Sequence, residues 1–313
     1  MSQRTLLVPA NIPPPARQLA NILQILFKIP KSQIFVLLEQ GNVTLNGRVK
    51  RQSFHIVEVG DSITVDIIPQ PIAAPSVSSK TKSPNRAIDF LFDDSDIAIV
   101  NKPANLLTVP TRHKEVNTLV SLVERQLRKQ DPKAQVFCVH RLDRGVSGVL
   151  VLAKSLEMAE TLRDQFALRK PNRRYIAIVA GTPSPESNTL KNYLATDADL
   201  NRILVHHADQ GELAITHYTT QHAWRDAAML EVKLETGRRN QIRVQLAEIG
   251  HPILGDPRYR PRQAEHWAWP HNRIALHAET LGFQHPRTKE PIQIETQWPQ
   301  EFRDFMRHQR KHT

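Results

Sequence analysis

Residues 69–85 read PQPIAAPSVSSKTKSPN, a run of proline, serine and lysine with no apolar periodicity. Such a segment has too little apolar surface for a packed element and reads as an exposed linker. It splits the 313-residue chain into a small unit and a large one, each of which needs its own core. The expected divisions are a flexible arm over 1–15, ending in Pro13-Pro14-Pro15, a small module over 16–68 and a linker over 69–86. A large unit over 87–299 and a basic tail over 300–313 follow.

Lys and Arg number 42 and Asp and Glu 31, a formal charge of +11. A folded chain this basic expects a polyanionic partner. Acidic membranes compete for that role, but no basic amphipathic helix with a strong apolar face is visible. No apolar run approaches the roughly 18 residues of a membrane span. The N-terminal MSQRTLLVPANIPPPARQ is broken by prolines and reads as neither signal nor anchor. No membrane partner and a cytoplasmic location are expected.

The single cysteine, Cys138, excludes an intrachain disulfide and a thiolate metal cluster. With Val136, Phe137 and Val139 around it, it reads as a buried small hydrophobe. None of the 14 histidines forms a His-Glu-x-x-His zinc pattern. His206 and His207 are adjacent, cannot share one helical face, and read as a solvated pair.

In the small module, Leu19, Ile22, Leu23, Ile25 and Leu26 recur near helical spacing, and Phe35, Leu38 and Glu39 continue a second helix stopped by Gly41. Val43-Thr44-Leu45, then Asn46-Gly47, then Arg48-Val49 signal a hairpin, and Ile63 to Ile67 alternates as a strand. This order resembles the alpha-L RNA-binding domain of a ribosomal small-subunit protein and of many RNA-modifying enzymes. Arg17, Lys28, Lys31, Arg48, Lys50 and Arg51 are its candidate phosphate contacts; each alone is more often a solvated charge.

The large unit reads as mixed. Ile97 to Val100, Val136 to Val139, Val149 to Ala153, Tyr175 to Val179 and Leu230 to Leu234 are strands. Leu119 to Leu127, residues 156–169 capped by Ser155, and Ile242 to Ile249 are helices. Without a regular strand–helix–strand repeat, the expected class is α+β with a mixed, largely antiparallel sheet.

Between two of these strands lies Val139-His140-Arg141-Leu142-Asp143-Arg144-Gly145-Val146-Ser147-Gly148. Cations beside Asp143 hold it ionised, which suits a reactive carboxylate, but from the spacing alone a structural Asp–Arg turn ranks ahead. The literal string resembles the catalytic motif of RluA-type pseudouridine synthases. Four further segments match that family in order. They are Ile99 to Ala104, Arg174 to Gly181, Thr236 to Val244 with Gly250 to Asp256, and Ala275 to Ala278 with Leu281 to Phe283 and His285-Pro286. Together they span about 87–299. The chain departs from the family at Gly145 and Val146 and at Arg239 and Asn240, which puts substrate choice in doubt.

The resemblance implies isomerisation of uridine to pseudouridine in RNA, ribosomal RNA first and transfer RNA second. There is no redox change and no net hydrolysis, so no cofactor and no metal are expected. Asp143 is implied as the catalytic carboxylate, Arg243 as the cation that keeps it ionised, and Tyr175 as the ring that stacks on the flipped base and helps remove the proton from carbon 5. Arg141, Arg144 and Arg238 are implied RNA contacts. A monomer is expected. Two other readings stay open: a catalytically silent RNA-binding protein of the same fold, and a glycosylase that releases free base.

Overall fold

The computed structural model describes residues 2–12, 17–29, 34, 37–38, 40–51, 55–67, 88–111, 114–197, 201–269 and 272–310. The linker, Pro13 to Pro15, Lys31, Phe35 and Glu39 lie outside these. The chain divides into two compact units, 1–86 with 269–272, and 87–268 with 273–313.

The first unit is a four-stranded sheet with a helix. Helix α1 (Leu19–Phe27) buries Leu19, Ile22, Leu23 and Phe27, one helical stripe. Ile34, Leu37 and Leu38 are also helical, and Ile34 and Leu38 are buried. Strands β1 (Ser2–Leu7), β2 (Val43–Leu45), β3 (Arg48–Val49) and β4 (Ser62–Ile67) run in the order β1-β4-β2-β3. Asn46 and Gly47, at φ 50° and 78°, make the left-handed turn that matches the twist of the β2–β3 hairpin. Asn46 Nδ2 donates to Asp61 at 2.8 Å, and its Oδ1 accepts from the Ser62 amide at 2.8 Å, pinning the turn to β4.

The expected arm over 1–15 is corrected here. Residues 2–7 form β1, antiparallel to β4 from Ser2 opposite Ile67 to Leu7 opposite Ser62, and Val8 and Ile12 enter the core. The physical reason is the edge: without β1, the backbone of β4 would have one side unpaired.

The second unit holds an 11-stranded sheet. Its strands are β5 (Asp89–Asp93), β6 (Ile97–Lys102), β7 (Phe137–Cys138), β8 (Ser147–Ala153), β9 (Asn172–Ala180) and β10 (Ser187–Thr196). The rest are β11 (Arg202–Val205), β12 (Glu212–Ala223), β13 (Ala227–Leu234), β14 (Leu276–Gln284) and β15 (Pro291–Glu295). The order is β11-β10-β12-β13-β9-β14-β8-β6-β5, with β7 also on β8 and β15 on β14. Among the described residues only β8 and β14 pair in parallel, so the sheet is mixed and largely antiparallel, as expected.

Every residue of β8 is buried, which explains its unbroken apolar run. Gly148, at φ 121°, is required there: a Cβ would lie 2.1 Å from the Ala278 carbonyl oxygen. Helices α2 (Leu119–Leu127) and α3 (Leu156–Ala167) start at Thr118 and Ser155, whose side chains accept amide hydrogens of Ser121 and Met158. Met158, Ala159 and Leu162 of α3 join Ile97, Ile99, Val149 and Val151 in one core. Helix α4 (Gln241–Glu248) is buried along nearly its whole length.

The expected basic tail over 300–313 is also corrected: residues 300–310 form helix α5 (Gln300–Arg310). Phe302 and Phe305 are fully buried at i, i+3 spacing, and one turn of apolar anchors is enough to fix a charged segment. No helix of the described residues is long and apolar enough to cross a membrane.

Candidate active site

Asp143 sits in the loop between β7 and β8. Leu142 and Val146, both buried, anchor the loop on either side of it. Thr108 Oγ1 donates to the Leu142 carbonyl at 2.8 Å, and the Val146 amide donates to the Asp143 carbonyl at 3.1 Å. Lys102, at the end of β6, is wholly buried below this loop. Its ammonium donates to the carbonyls of Pro103 at 3.0 Å and Leu106 at 2.7 Å. Burial pushes the lysine down to about 7, against the pull of Asp143.

Arg243 reaches the carboxylate from the first turn of α4. Its Nη1 donates to Asp143 Oδ2 at 2.8 Å, while Nε and Nη2 grip both oxygens of Asp256 at 2.7 and 2.8 Å. Asp256 is itself buried and accepts the amides of Arg258 and Tyr259 on Oδ1. The guanidinium lies 5.1 Å from the Tyr259 ring centroid. Burial disfavours its charge, but the two carboxylates outweigh that and hold Arg243 above the ordinary arginine range.

Asn240 precedes α4 in the left-handed region, at φ 56°. Its Nδ2 donates to Asp143 Oδ2 at 2.5 Å, and Tyr259 donates its hydroxyl to Asn240 Oδ1 at 3.4 Å. Burial raises the Asp143 carboxyl, but Arg243, Asn240 and Arg141 together hold it below the ordinary aspartate value. The result is an ionised carboxylate whose Oδ2 carries two donors.

Tyr175, on β9, is buried and shares a cavity of about 140 Å³ with Asp143, Val146, Asn240, Ile242 and Leu276. Burial pushes its hydroxyl up, so it stays a neutral phenol at neutral pH. The structure thus brings Asp143, Tyr175 and Arg243 together, and Arg141 and Arg238 line the same cavity. Arg238 is already paired with Glu212 at 2.9 Å. Arg144 lies outside that lining and donates to the Asn105 carbonyl at 3.4 Å. Arg48, Lys50 and Arg51 belong to the first unit, and Arg48 is exposed on β3.

One expectation changes. Cys138 is half-buried, not buried, with Sγ 3.1 Å from the His140 carbonyl. Its strand is only Phe137–Cys138, too short to cover it. Asn240, which departs from the family pattern, lines the cavity and also touches Asp143 itself. Asp256, which closes the Gly250 to Asp256 match, gains a role that no expectation assigned to it: it grips Arg243. A buried arginine serving two carboxylates is visible only in three dimensions. His206 and His207 are exposed, as expected. Among the described residues no cluster of three metal-ligating side chains occurs.

Residues 96–248 match the RNA pseudouridylate synthase family. The chain is 31% identical to the uncharacterized RNA pseudouridine synthase YlyB of Bacillus subtilis, over 90% of each protein. It is also 31% identical to the ribosomal large subunit pseudouridine synthase D of Zymomonas mobilis, over 91% of this chain and 90% of that one. Human RNA pseudouridylate synthase domain containing 4 has the same fold, with a TM-score of 0.59 over 71% of this chain and 93% of that one at 22% identity. A sheet that delivers an arginine-held aspartate and a buried tyrosine to one cavity, with relatives this similar along nearly the whole length, places the chain in the RluA-type RNA pseudouridine synthase family, isomerases that convert uridine to pseudouridine in RNA.

Proposed function

We propose that the chain isomerises uridine within ribosomal RNA, with Asp143 as the reacting carboxylate. The observation that carries the chemistry is the Asp143 carboxylate, held ionised by Arg243 and Asn240 inside the cavity that Tyr175 lines. The choice of ribosomal RNA is supported by relatives from Zymomonas mobilis and Xanthomonas campestris, both named ribosomal large subunit pseudouridine synthase D.

In the reaction the bond from uracil N1 to the ribose C1′ breaks, the base turns, C5 bonds to C1′, and the proton lost from C5 is matched by one gained at N1. Asp143 serves either as nucleophile at C1′ or as the base that takes the C2′ proton to give a glycal. Both need the ionised form that Arg243 maintains. Tyr175 stacks on the extruded base. Its hydroxyl, held protonated by burial in the free site, also faces the base and helps carry the C5 proton away. Extruding the base costs a few kcal/mol, so loops and junctions are favoured over stable helices. Arg48, Lys50 and Arg51 of the first unit add phosphate contacts that position long RNA. A monomer is taken as the working form.

Mapping pseudouridine in total RNA with and without the gene tests the substrate. The expected result is loss at defined ribosomal uridines. Loss confined to transfer RNA would contradict the ribosomal assignment.

A further inference from the structure

Beside the catalytic cavity lies a second one of about 350 Å³, sharing Arg141, Tyr175 and Arg238 with it. Its lining adds His140, Phe166, Arg169 and Arg173 and contains no carboxylate. Arg173 is the unusual member. It is 7% exposed, yet makes no ion pair among the described residues. Its Nη2 donates to the Glu235 backbone carbonyl at 3.1 Å, its Nε has no hydrogen-bond partner, and its face lies 5.7 Å from the Phe166 ring centroid. Gly237 leaves the space for it: a Cβ there would lie 2.4 Å from Arg173 Nη1.

The next residue shows the contrast. Arg174, more exposed, meets Glu231, Glu279 and Glu295 at 3.7, 2.8 and 3.0 Å. Arg174 thus pairs with several acids, while Arg173 pairs with none among the described residues. A buried cation without a counter-charge costs several kcal/mol, a cost that a bound anion offsets. Burial pushes Arg173 below the ordinary arginine range, and the neighbouring imidazole of His140 is pushed down to about 3, so it is neutral and adds no competing charge.

We propose that this cavity is a phosphate subsite: Arg173, with Arg141 and Arg169 beside it, takes a backbone phosphodiester of the substrate strand next to the target uridine. Arg173 and Tyr175 are two residues apart on β9 and project from one face about 6.6 Å from each other. An anion held by the first therefore lies against the nucleotide stacked on the second or its immediate neighbour. The guanidinium is suited to the task, since its planar fork matches two phosphate oxygens.

The inference rests on the chain acting on uridine in RNA. Its test starts from the uridine that the wild type converts in cellular RNA. A short RNA centred on that uridine is made with a single uncharged methylphosphonate linkage at each flanking position, and Kd is measured for each. One linkage beside the uridine should weaken wild-type binding about tenfold, the scale of one hydrogen bond to a charged group. Arg173→Gln should bind the unmodified RNA about tenfold more weakly and show no further loss with that linkage. Should Arg173→Gln not fold, Arg169→Ala, an exposed change, should shrink the effect of the same linkage. Equal binding of all methylphosphonate RNAs by the wild type overturns the subsite, as does a sensitive linkage that keeps its full effect in both variants. Failure of the functional reading looks different: the wild type then converts no uridine in any RNA.

Discussion

Arg243 and Asp256 form a buried two-point ion pair, Nε to Oδ2 at 2.7 Å and Nη2 to Oδ1 at 2.8 Å. That pair fixes the plane of the guanidinium and leaves Nη1 as the donor aimed at Asp143, 2.8 Å away. Orientation of the Asp143 carboxylate is therefore set by a residue that does not touch it.

Asp256→Asn should leave the guanidinium with one buried counter-charge in place of two. Removing one partner of a buried pair costs about 3 kcal/mol or more. Urea unfolding should show a loss of that size, with turnover down at least tenfold because Nη1 is no longer held in line. A stability loss below about 1 kcal/mol would show that Asp256 does not anchor Arg243.

The Asp143 carboxyl is held below the ordinary aspartate value, so its ionised form persists as pH falls. Any stability from this group is present above its unfolded pKa near 3.9 and is lost as pH falls through the lower folded value. The turnover profile of the wild type should therefore show no acid limb from Asp143 between pH 7 and about 5. In Arg243→Gln the burial remains and the charge is gone, so the limb should move up into that window. Unchanged limbs in the two proteins would rule out Arg243 as the group that keeps Asp143 ionised.

Asn240→Gly removes the donor to Asp143 while suiting the left-handed backbone at φ 56°. A hydrogen bond to a charged group is worth about 1.5–3 kcal/mol. Turnover should fall roughly 10- to 100-fold while RNA affinity holds within about threefold. Equal losses in affinity and turnover would place Asn240 among the RNA contacts instead.

Lys102 titrates near 7 in the folded chain and near 10.4 when unfolded. Between those values the unfolded chain binds the extra proton, so stability rises with pH, by up to about 1.4 kcal/mol per unit. Urea unfolding from about pH 7.5 to 9.5 should show that rise, and Lys102→Met should flatten it. Parallel pH curves for the two proteins would show that the ammonium carries no such penalty.

Elements with a strong local signal are legible in the amino-acid sequence. The unbroken apolar run of β8, the Asn46-Gly47 hairpin and the Ser155 cap each express a rule that acts within a few residues. The family motifs likewise point to Asp143, Tyr175 and Arg243. Strands β10 and β12 escape such a reading because their exposed positions carry Asn, Thr and His and their apolar residues are spaced irregularly between them. Strand β1 and helix α5 escape it because short segments next to prolines or rich in charge acquire structure only from a distant partner. Asp143 and Arg243 stand 100 residues apart in the chain, and Arg173 lacks a counter-charge only relative to neighbours that the fold assembles. No periodicity records either fact.

The central claim is that Asp143 is the reacting carboxylate. Asp143→Asn keeps the size of the side chain and leaves an amide that is neither nucleophile nor base at neutral pH. The direct measurement is pseudouridine formed by each purified protein in RNA isolated from cells lacking the gene, with the melting temperature and RNA affinity measured alongside. Asp143→Asn should form no detectable pseudouridine, in a protein that still melts cooperatively and still binds RNA. Activity within about tenfold of the wild type would contradict the claim.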